Sequence, residues 1–221
     1  TIVDVIIKVN NAPYEQNQLT QSFAPGTELT LEIVNASVGG HYGSSSTFNA
    51  LEAARVNDVK KFVFASSGAP AGPVNGPVHE ELPPHPASPY GSSKLAGEGY
   101  CSSYYQSFGI NTICLRFGNV YGPRSKHKSS VVAKFIKTAL SHETCEIYGD
   151  GTNTRDFIYI DDLVNAILLA MEIPMGGETF QIATSFERTV NEVALEIQKQ
   201  LLVKDLKMHI KYGESKIGEV K

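Results

Sequence analysis

The chain has 221 residues, of which 42% are hydrophobic and 19% charged, with a formal net charge of −4. That length holds one good core or two small ones, and the composition is that of an ordinary soluble globular protein. The charge balance weighs against nucleic acid as a partner: no basic stripe stands out, and the runs at Lys60-Lys61 and Lys126–Lys128 read as solvated surface.

Residues 1–46 open with two alternating apolar stretches. Val3, Val5, Ile7 and Val9 share one face of a first strand, and Leu29, Leu31 and Ile33 share one face of a second, with Ala24–Glu28 as a turn between them. Val38-Gly39-Gly40-His41-Tyr42-Gly43 follows. A glycine loop between a strand and a helix lets a phosphate approach backbone N–H groups, but this one is a glycine and its spacer short of GxxGxxG, and a plain connection is the alternative. A helix then presents Leu51, Ala54 and Val56, and Val59 with Phe62–Phe64 reads as a buried strand ending at Ser66-Ser67. Gly68–Pro89 is a long loop rich in Pro, Gly and Ala, expected to cover a functional site. Pro89–Gly109 reads as a helix, with Ser88 as N-cap, Pro89 in the first turn and Gly109 just past the end. NTICLRFGNVYGPR is a second buried strand running into a Gly/Pro turn.

Beyond it, Val131, Val132, Phe135, Ile136 and Leu140 recur at helical spacing and read as core. Glu146–Gly149 is a short strand and Asp150–Asp156 a turn. Asp161-Asp162 open a helix, where capping rather than acid–base chemistry is expected, and Thr189–Glu192 is a capping box.

Cys101, Cys114 and Cys145 are too few and too widely spaced for a zinc site or a disulfide framework, so a reducing, cytoplasmic compartment is expected. The six histidines show no ligand spacing, and no metal is assigned. No apolar run approaches the length of a membrane span and no signal peptide opens the chain, so no membrane association is expected. The first residue is Thr rather than Met, which reads as a processed, trimmed or engineered start.

Within the Pro89–Gly109 helix, Tyr90 and Lys94 fall on one face. An ammonium beside a phenol favours the phenolate, so the Tyr90 pKa is expected to fall towards a range where it can take a proton from an alcohol. Ser67 and Asn119 stand at strand ends on either side of this helix in the chain, and open α/β sheets bind ligands at such ends.

These pieces in order — Ser66-Ser67, SPYGSSK, LRFGNVYGPR and IYGDGTNTRDFIYIDDLVNAI — resemble the extended short-chain dehydrogenase/reductase family, and within it the nucleotide-sugar epimerases of the UDP-galactose 4-epimerase type. The resemblance covers residues from Thr47 to Lys221. It implies an α/β fold, an incomplete Rossmann-like parallel sheet with flanking helices and a small substrate-binding region. Residues 1–46 would be an unmatched strand-rich segment, 47–123 a partial NAD-binding and catalytic region, and 124–221 the nucleotide-sugar-binding region.

The resemblance further implies NAD as cofactor and a UDP-linked nucleotide sugar as substrate, epimerised by transient oxidation at a sugar hydroxyl. Tyr90 would be the base, Lys94 would hold the nicotinamide ribose, and Ser67 would hydrogen-bond the reacting oxygen, with Ser66 also at the cofactor. Asn119, Tyr148, Arg155, Lys216 and Glu219 would hold the nucleotide diphosphate. For Arg155 the alternative is a surface ion pair with Asp150 or Asp156. Gly68 and Ala69 stand where a dehydratase of the family carries an Asp-Glu pair, which favours epimerisation. The helices around Leu51 and Tyr90 are expected to form a homodimer interface. The family's glycine-rich opening segment and its closing end have no match here, so the alternative is a catalytically incompetent fragment or fusion that keeps a nucleotide-sugar-binding half or acts only as a folded assembly partner.

Overall fold

The computed structural model describes residues 2–9, 12–13, 29–36, 44–74, 76–125 and 127–215. The chain divides into two compact units, Thr1–Arg116 with Ile167–Gln181, and Phe117–Ala166 with Ile182–Lys221.

The first unit opens with β1 (Ile2–Val9), β2 (Ala12–Pro13) and β3 (Leu29–Ala36), an antiparallel sheet in the order β2-β1-β3. Its register sets Val5 against Ile33, Ile7 against Leu31 and Val9 against Leu29, so the two alternating apolar patterns meet in phase. Both strands expected before residue 46 are present, and they form a sheet of their own. The glycine loop at residues 38–43 lies outside the described residues.

α1 (Ser44–Val56) follows, then β4 (Lys61–Ser67), a 3-10 turn at Ala69–Ala71, α2 (Pro89–Phe108) and β5 (Asn111–Phe117). β4 and β5 are neighbours in a second sheet whose third member is β9 (Glu178–Ile182), in the order β4-β5-β9. Leu51 and Ala54 of α1 share one buried core with Phe64, Cys101, Tyr104, Ile110 and Cys114. Cys101 and Cys114 are therefore packing residues, and all three cysteines are free and buried.

In the second unit, β6 (Asn119–Tyr121) pairs in parallel with β8 (Thr154–Tyr159), which pairs antiparallel with β10 (Glu187–Thr189). β7 (Thr144–Tyr148) pairs in parallel with β11 (His209–Gly213), and α3 (Val131–Leu140) and α5 (Val190–Leu202) pack on that pair through Phe135, Ala139, Ile147, Ala194 and Ile197. α4 (Ile160–Glu172) opens with Asp161 and Asp162 in its first turn, where the helix dipole favours negative charge. Together the parallel and antiparallel pairs and their flanking helices make an open α/β fold, an incomplete Rossmann-like arrangement.

Two local expectations change. On α3, Phe135 is buried and Val131 and Val132 pack against the same core as expected, but Ile136 and Leu140 are exposed and Ala133 and Ala139 are buried in their place. Arg155 and Asp156 lie on a strand rather than in a turn, because pairing with β10 extends β8 back to Thr154.

Candidate active site

The Tyr90 helix begins and ends as its sequence dictates. Ser88 sits extended at φ −144° and accepts a hydrogen bond from the Gly91 N–H at 3.1 Å, Pro89 fills the first turn, and Gly109 takes the left-handed conformation at φ +69° with its N–H bonded to the Tyr105 carbonyl. Two glycines inside the helix bring it flush against its support. A Cβ at Gly97 would lie 2.4 Å from the Phe64 ring, and one at Gly91 would lie 2.7 Å from the Ala69 carbonyl oxygen. The first turns of α2 therefore sit directly on the end of β4.

That close approach lets three successive residues of β4 reach three successive turns of α2. The Ser67 hydroxyl stands beside the Tyr90 phenol and favours its charged form, the Ala65 carbonyl accepts from Lys94 Nζ at 2.8 Å, and Ser66 Oγ donates to Glu98 Oε1 at 2.6 Å. Lys94 Nζ lies 5.1 Å from the centre of the Phe64 ring and 5.8 Å from that of Tyr90. Ser67 also accepts from the Ala69 N–H at 3.2 Å, which holds its hydroxyl at the strand end.

The electrostatics run against one expectation. Burial pushes the Tyr90 phenol up from its ordinary value, and the Ser67 hydrogen bond offsets this only in part. Burial also lowers the Lys94 ammonium. Desolvation disfavours both charged forms, and with the ammonium beside the aromatic faces it outweighs the attraction that was to have lowered the phenol. Ser66, expected at the cofactor, is 3% exposed and its hydroxyl donates to Glu98.

Sequence reasoning missed Glu98 and Arg116. The Arg116 guanidinium grips Glu98 with Nε to Oε1 and Nη2 to Oε2, both at 2.8 Å, with both side chains buried. Glu98 follows Lys94 by one helical turn, the same spacing that joins Lys94 to Tyr90, and that periodicity was the available signal. Gly91 and Gly97 were legible too, since glycine inside a helix is costly without a packing reason.

In the second unit, Asn119 opens β6 and its Nδ2 donates to the Asp156 carbonyl at 3.1 Å. Tyr148 ends β7, with Lys134 Nζ 5.0 Å from its ring centre. Arg155 lies on β8 opposite Arg188 of β10, and its Nη1 donates to the Thr154 carbonyl at 2.6 Å. The carboxylates that were the alternative partners of Arg155 bond elsewhere as well: Asp156 accepts from Thr184, and Asp150 from Thr152. Lys216 and Glu219 lie outside the described residues.

The Tyr90 face suits the nicotinamide ribose that the resemblance implies. The Lys94 nitrogen carries three donors, of which the Ala65 carbonyl takes one, and the Tyr90 hydroxyl lies on the same helix face. Among the described residues no cluster of His, Cys, Asp and Glu is arranged to hold a metal, and no helix is long and apolar enough to cross a membrane.

The chain is similar in sequence and in fold to known proteins. A UDP-glucose 4-epimerase of Mycolicibacterium smegmatis is 38% identical over 154 residues, which cover 66% of this chain and 48% of that protein. The dTDP-D-glucose 4,6-dehydratase of Homo sapiens is 32% identical over 184 residues, 83% of this chain and 52% of the human protein. Among solved structures, the UDP-glucose 4-epimerase of Thermus thermophilus in complex with NAD matches with a TM-score of 0.71 at 34% identity, over 79% of this chain and 58% of that one. This chain spans about half the length of the curated relatives it matches. The model of the NAD dependent epimerase/dehydratase family matches residues 43–183, and the chain belongs to that family.

Proposed function

We propose that this chain carries the catalytic residues of an NAD-dependent nucleotide-sugar epimerase acting on a UDP-hexose at the 4-position. The observation that carries this reading is the Ser67–Tyr90–Lys94 arrangement at the end of β4, within a chain of this family. NAD, when bound, supplies a reversible hydride acceptor. Lys94 directs its remaining N–H donors to the ribose hydroxyls and keeps a positive charge beside the phenol. Tyr90 takes the proton of the sugar hydroxyl and returns it. Ser67 hydrogen-bonds both the phenol and the reacting oxygen, and its bond is the described interaction that favours the phenolate. The raised phenol pKa of the isolated site makes return of the proton easy, and removal relies on Lys94 and Ser67. Arg155, Asn119 and Tyr148 take the nucleotide diphosphate and its base, with Arg155 supplying a planar fork suited to phosphate oxygens. Lys216 and Glu219 complete that set.

Epimerisation is favoured over dehydration because Gly68 and Ala69, which follow Ser67 into the 3-10 turn, offer no carboxylic acid to expel water from the sugar. The partly exposed rings of Phe48 and Phe108, beside Tyr104 on the α1–α2 pair, support assembly as a homodimer, which light scattering would test. Three free cysteines suit the reducing cytoplasm.

A second reading, a nucleotide-sugar-binding portion without turnover, is favoured by the start of the family match at residue 43. Calorimetric titration of this chain with NAD and then UDP, after a check for nucleotide released on denaturation, separates the two. Binding of both supports the epimerase, binding of UDP alone supports the second reading, and binding of neither removes both. Tyr90→Phe in a chain that turns over should lower the rate by about 10²–10⁴-fold with UDP affinity unchanged. Equal turnover by the variant overturns the role of Tyr90.

A further inference from the structure

Beneath the Tyr90 site lies a group of buried polar side chains that the proposed chemistry does not use. The Glu98 carboxylate accepts three hydrogen bonds, one from Ser66 and two from Arg116, with Ser66, Glu98 and Arg116 all less than a tenth exposed. For stability alone this is a poor choice. Apolar residues of similar volume commonly serve as well as a buried ion pair, and here Nη1 of Arg116 is buried without a hydrogen-bond partner. What an ion pair with a third hydrogen bond supplies, and an apolar contact does not, is direction.

The direction falls at a decisive place. Ser66 stands between Ala65, whose carbonyl accepts from Lys94 Nζ, and Ser67, whose hydroxyl stands beside the Tyr90 phenol. Glu98 is one helical turn beyond Lys94, and Arg116 lies near the end of β5, the strand next to β4. The Ser66–Glu98 bond therefore fixes how far the end of β4 slides along α2, and Arg116 fixes Glu98 from the neighbouring strand. A slip of β4 by one residue would exchange the Ser66 and Ser67 directions, because side chains alternate along a strand.

We propose that Glu98 and Arg116 are positioning residues that act through Ser66 to hold the end of β4 in register on α2, with the Ala65 carbonyl on Lys94 and the Ser67 hydroxyl beside the Tyr90 phenol. The inference rests on the reading of Tyr90 as the proton-transfer group, but its test needs neither cofactor nor turnover. The chain is prepared with ¹³C-labelled tyrosine, and the hydroxyl-bearing ring carbon of Tyr90 is assigned by its loss in Tyr90→Phe. Its chemical shift at neutral pH reports the placement of the Ser67 hydroxyl beside the phenol.

Ser66→Ala removes one hydroxyl and leaves the Arg116–Glu98 pair, so it should fold. It is expected to move the Tyr90 resonance towards the position found in Ser67→Ala, and to have no further effect when Ser67 is already Ala. Glu98→Gln is expected to move it in the same direction. A Tyr90 resonance unmoved in folded Ser66→Ala, or an equal shift with and without Ser67, overturns the proposal and leaves the pair a structural one. If Glu98→Gln does not fold, Ser66→Ala decides alone. In a chain that turns over, Ser66→Ala should lower kcat with KM unchanged. If NAD does not bind, the proposed function fails while the resonance test still stands.

Discussion

The two units hold their candidate residues in different ways. Around Tyr90, side chains of β4 and α2 bond one another in the interior, and the helix carries glycines where it meets the strand. Around Arg155 and Asn119, the described hydrogen bonds run from exposed or half-exposed side chains to nearby backbone carbonyls, and the strands that carry them are three to six residues long. Under the proposed function, proton transfer requires atoms fixed to a fraction of an ångström, which a buried, directional network provides, and holding a diphosphate requires donors that reach out from the surface, which side chains on short strands supply.

The contrast predicts unequal damage. The largest effect should come from Glu98→Leu, which leaves Arg116 charged in the interior at a cost of about 3–5 kcal/mol in chemical denaturation. Combining it with Arg116→Met should recover most of that loss. A double variant as unstable as the single one would show that the site depends on the bonds for its fold and not only for its geometry.

Next, Gly97→Ala should destabilise by about 1–3 kcal/mol, because its Cβ must displace the Phe64 ring, although alanine is the better helix former. Gly99→Ala, where nothing lies within 4 Å of the added atom, should stabilise by about 0.5–1 kcal/mol. Opposite signs two residues apart in one helix make a sharp test of the close α2–β4 approach.

In the second unit, Thr189→Ala removes the capping box that opens α5, where Thr189 Oγ1 accepts from the Glu192 N–H at 3.0 Å and Glu192 returns a bond to the Thr189 N–H at 2.7 Å. The expected loss is about 1 kcal/mol, with the Tyr90 resonance unaffected. A shift of that resonance would mean that the units are coupled.

The smallest effect is one of pH. Tyr104 of α2 donates to Glu52 of α1, which Arg55 also binds at 2.9 Å. The Arg55 and Tyr104 hydrogen bonds hold the Glu52 carboxyl below its ordinary value, while burial and Glu52 push Tyr104 up to about 12. Stability from the depressed carboxylate is present above the ordinary carboxylate range and is lost as pH falls through its folded value. Stability from the raised phenol is complete below its ordinary value of 10.0 and is lost as pH rises through about 12. Denaturation followed against pH should show both limbs, with Glu52→Gln flattening the acid one.

Much of the Tyr90 helix was legible before any fold was known. Ser88, Pro89 and Gly109 bounded it by local backbone chemistry, and the spacing of Tyr90 and Lys94 placed them on one face by helical geometry alone. The single strand expected from Asn111 breaks at Gly118, so that Asn119 opens β6 in another sheet. The strand end at Ser67, however, followed from an apolar run meeting turn residues, and the capping box at Thr189 from side chains that reach only their own turn. These are short-range facts, set by interactions along a few residues of chain.

Contacts distant in sequence decided the rest. Ser66 turned inward because Glu98, 32 residues later, offered a buried acceptor. The Tyr90 phenol rose rather than fell because burial, a property of the packed unit, outweighed a neighbouring charge. Arg155 joined a strand because β10 came to pair with it, and α3 buried Ala133 and Ala139 beside Phe135 while Ile136 and Leu140 stayed exposed. Sequence fixes which groups can meet along one helix or strand. Burial and cross-element hydrogen bonds depend on the whole chain closing up, and so belong to tertiary structure alone.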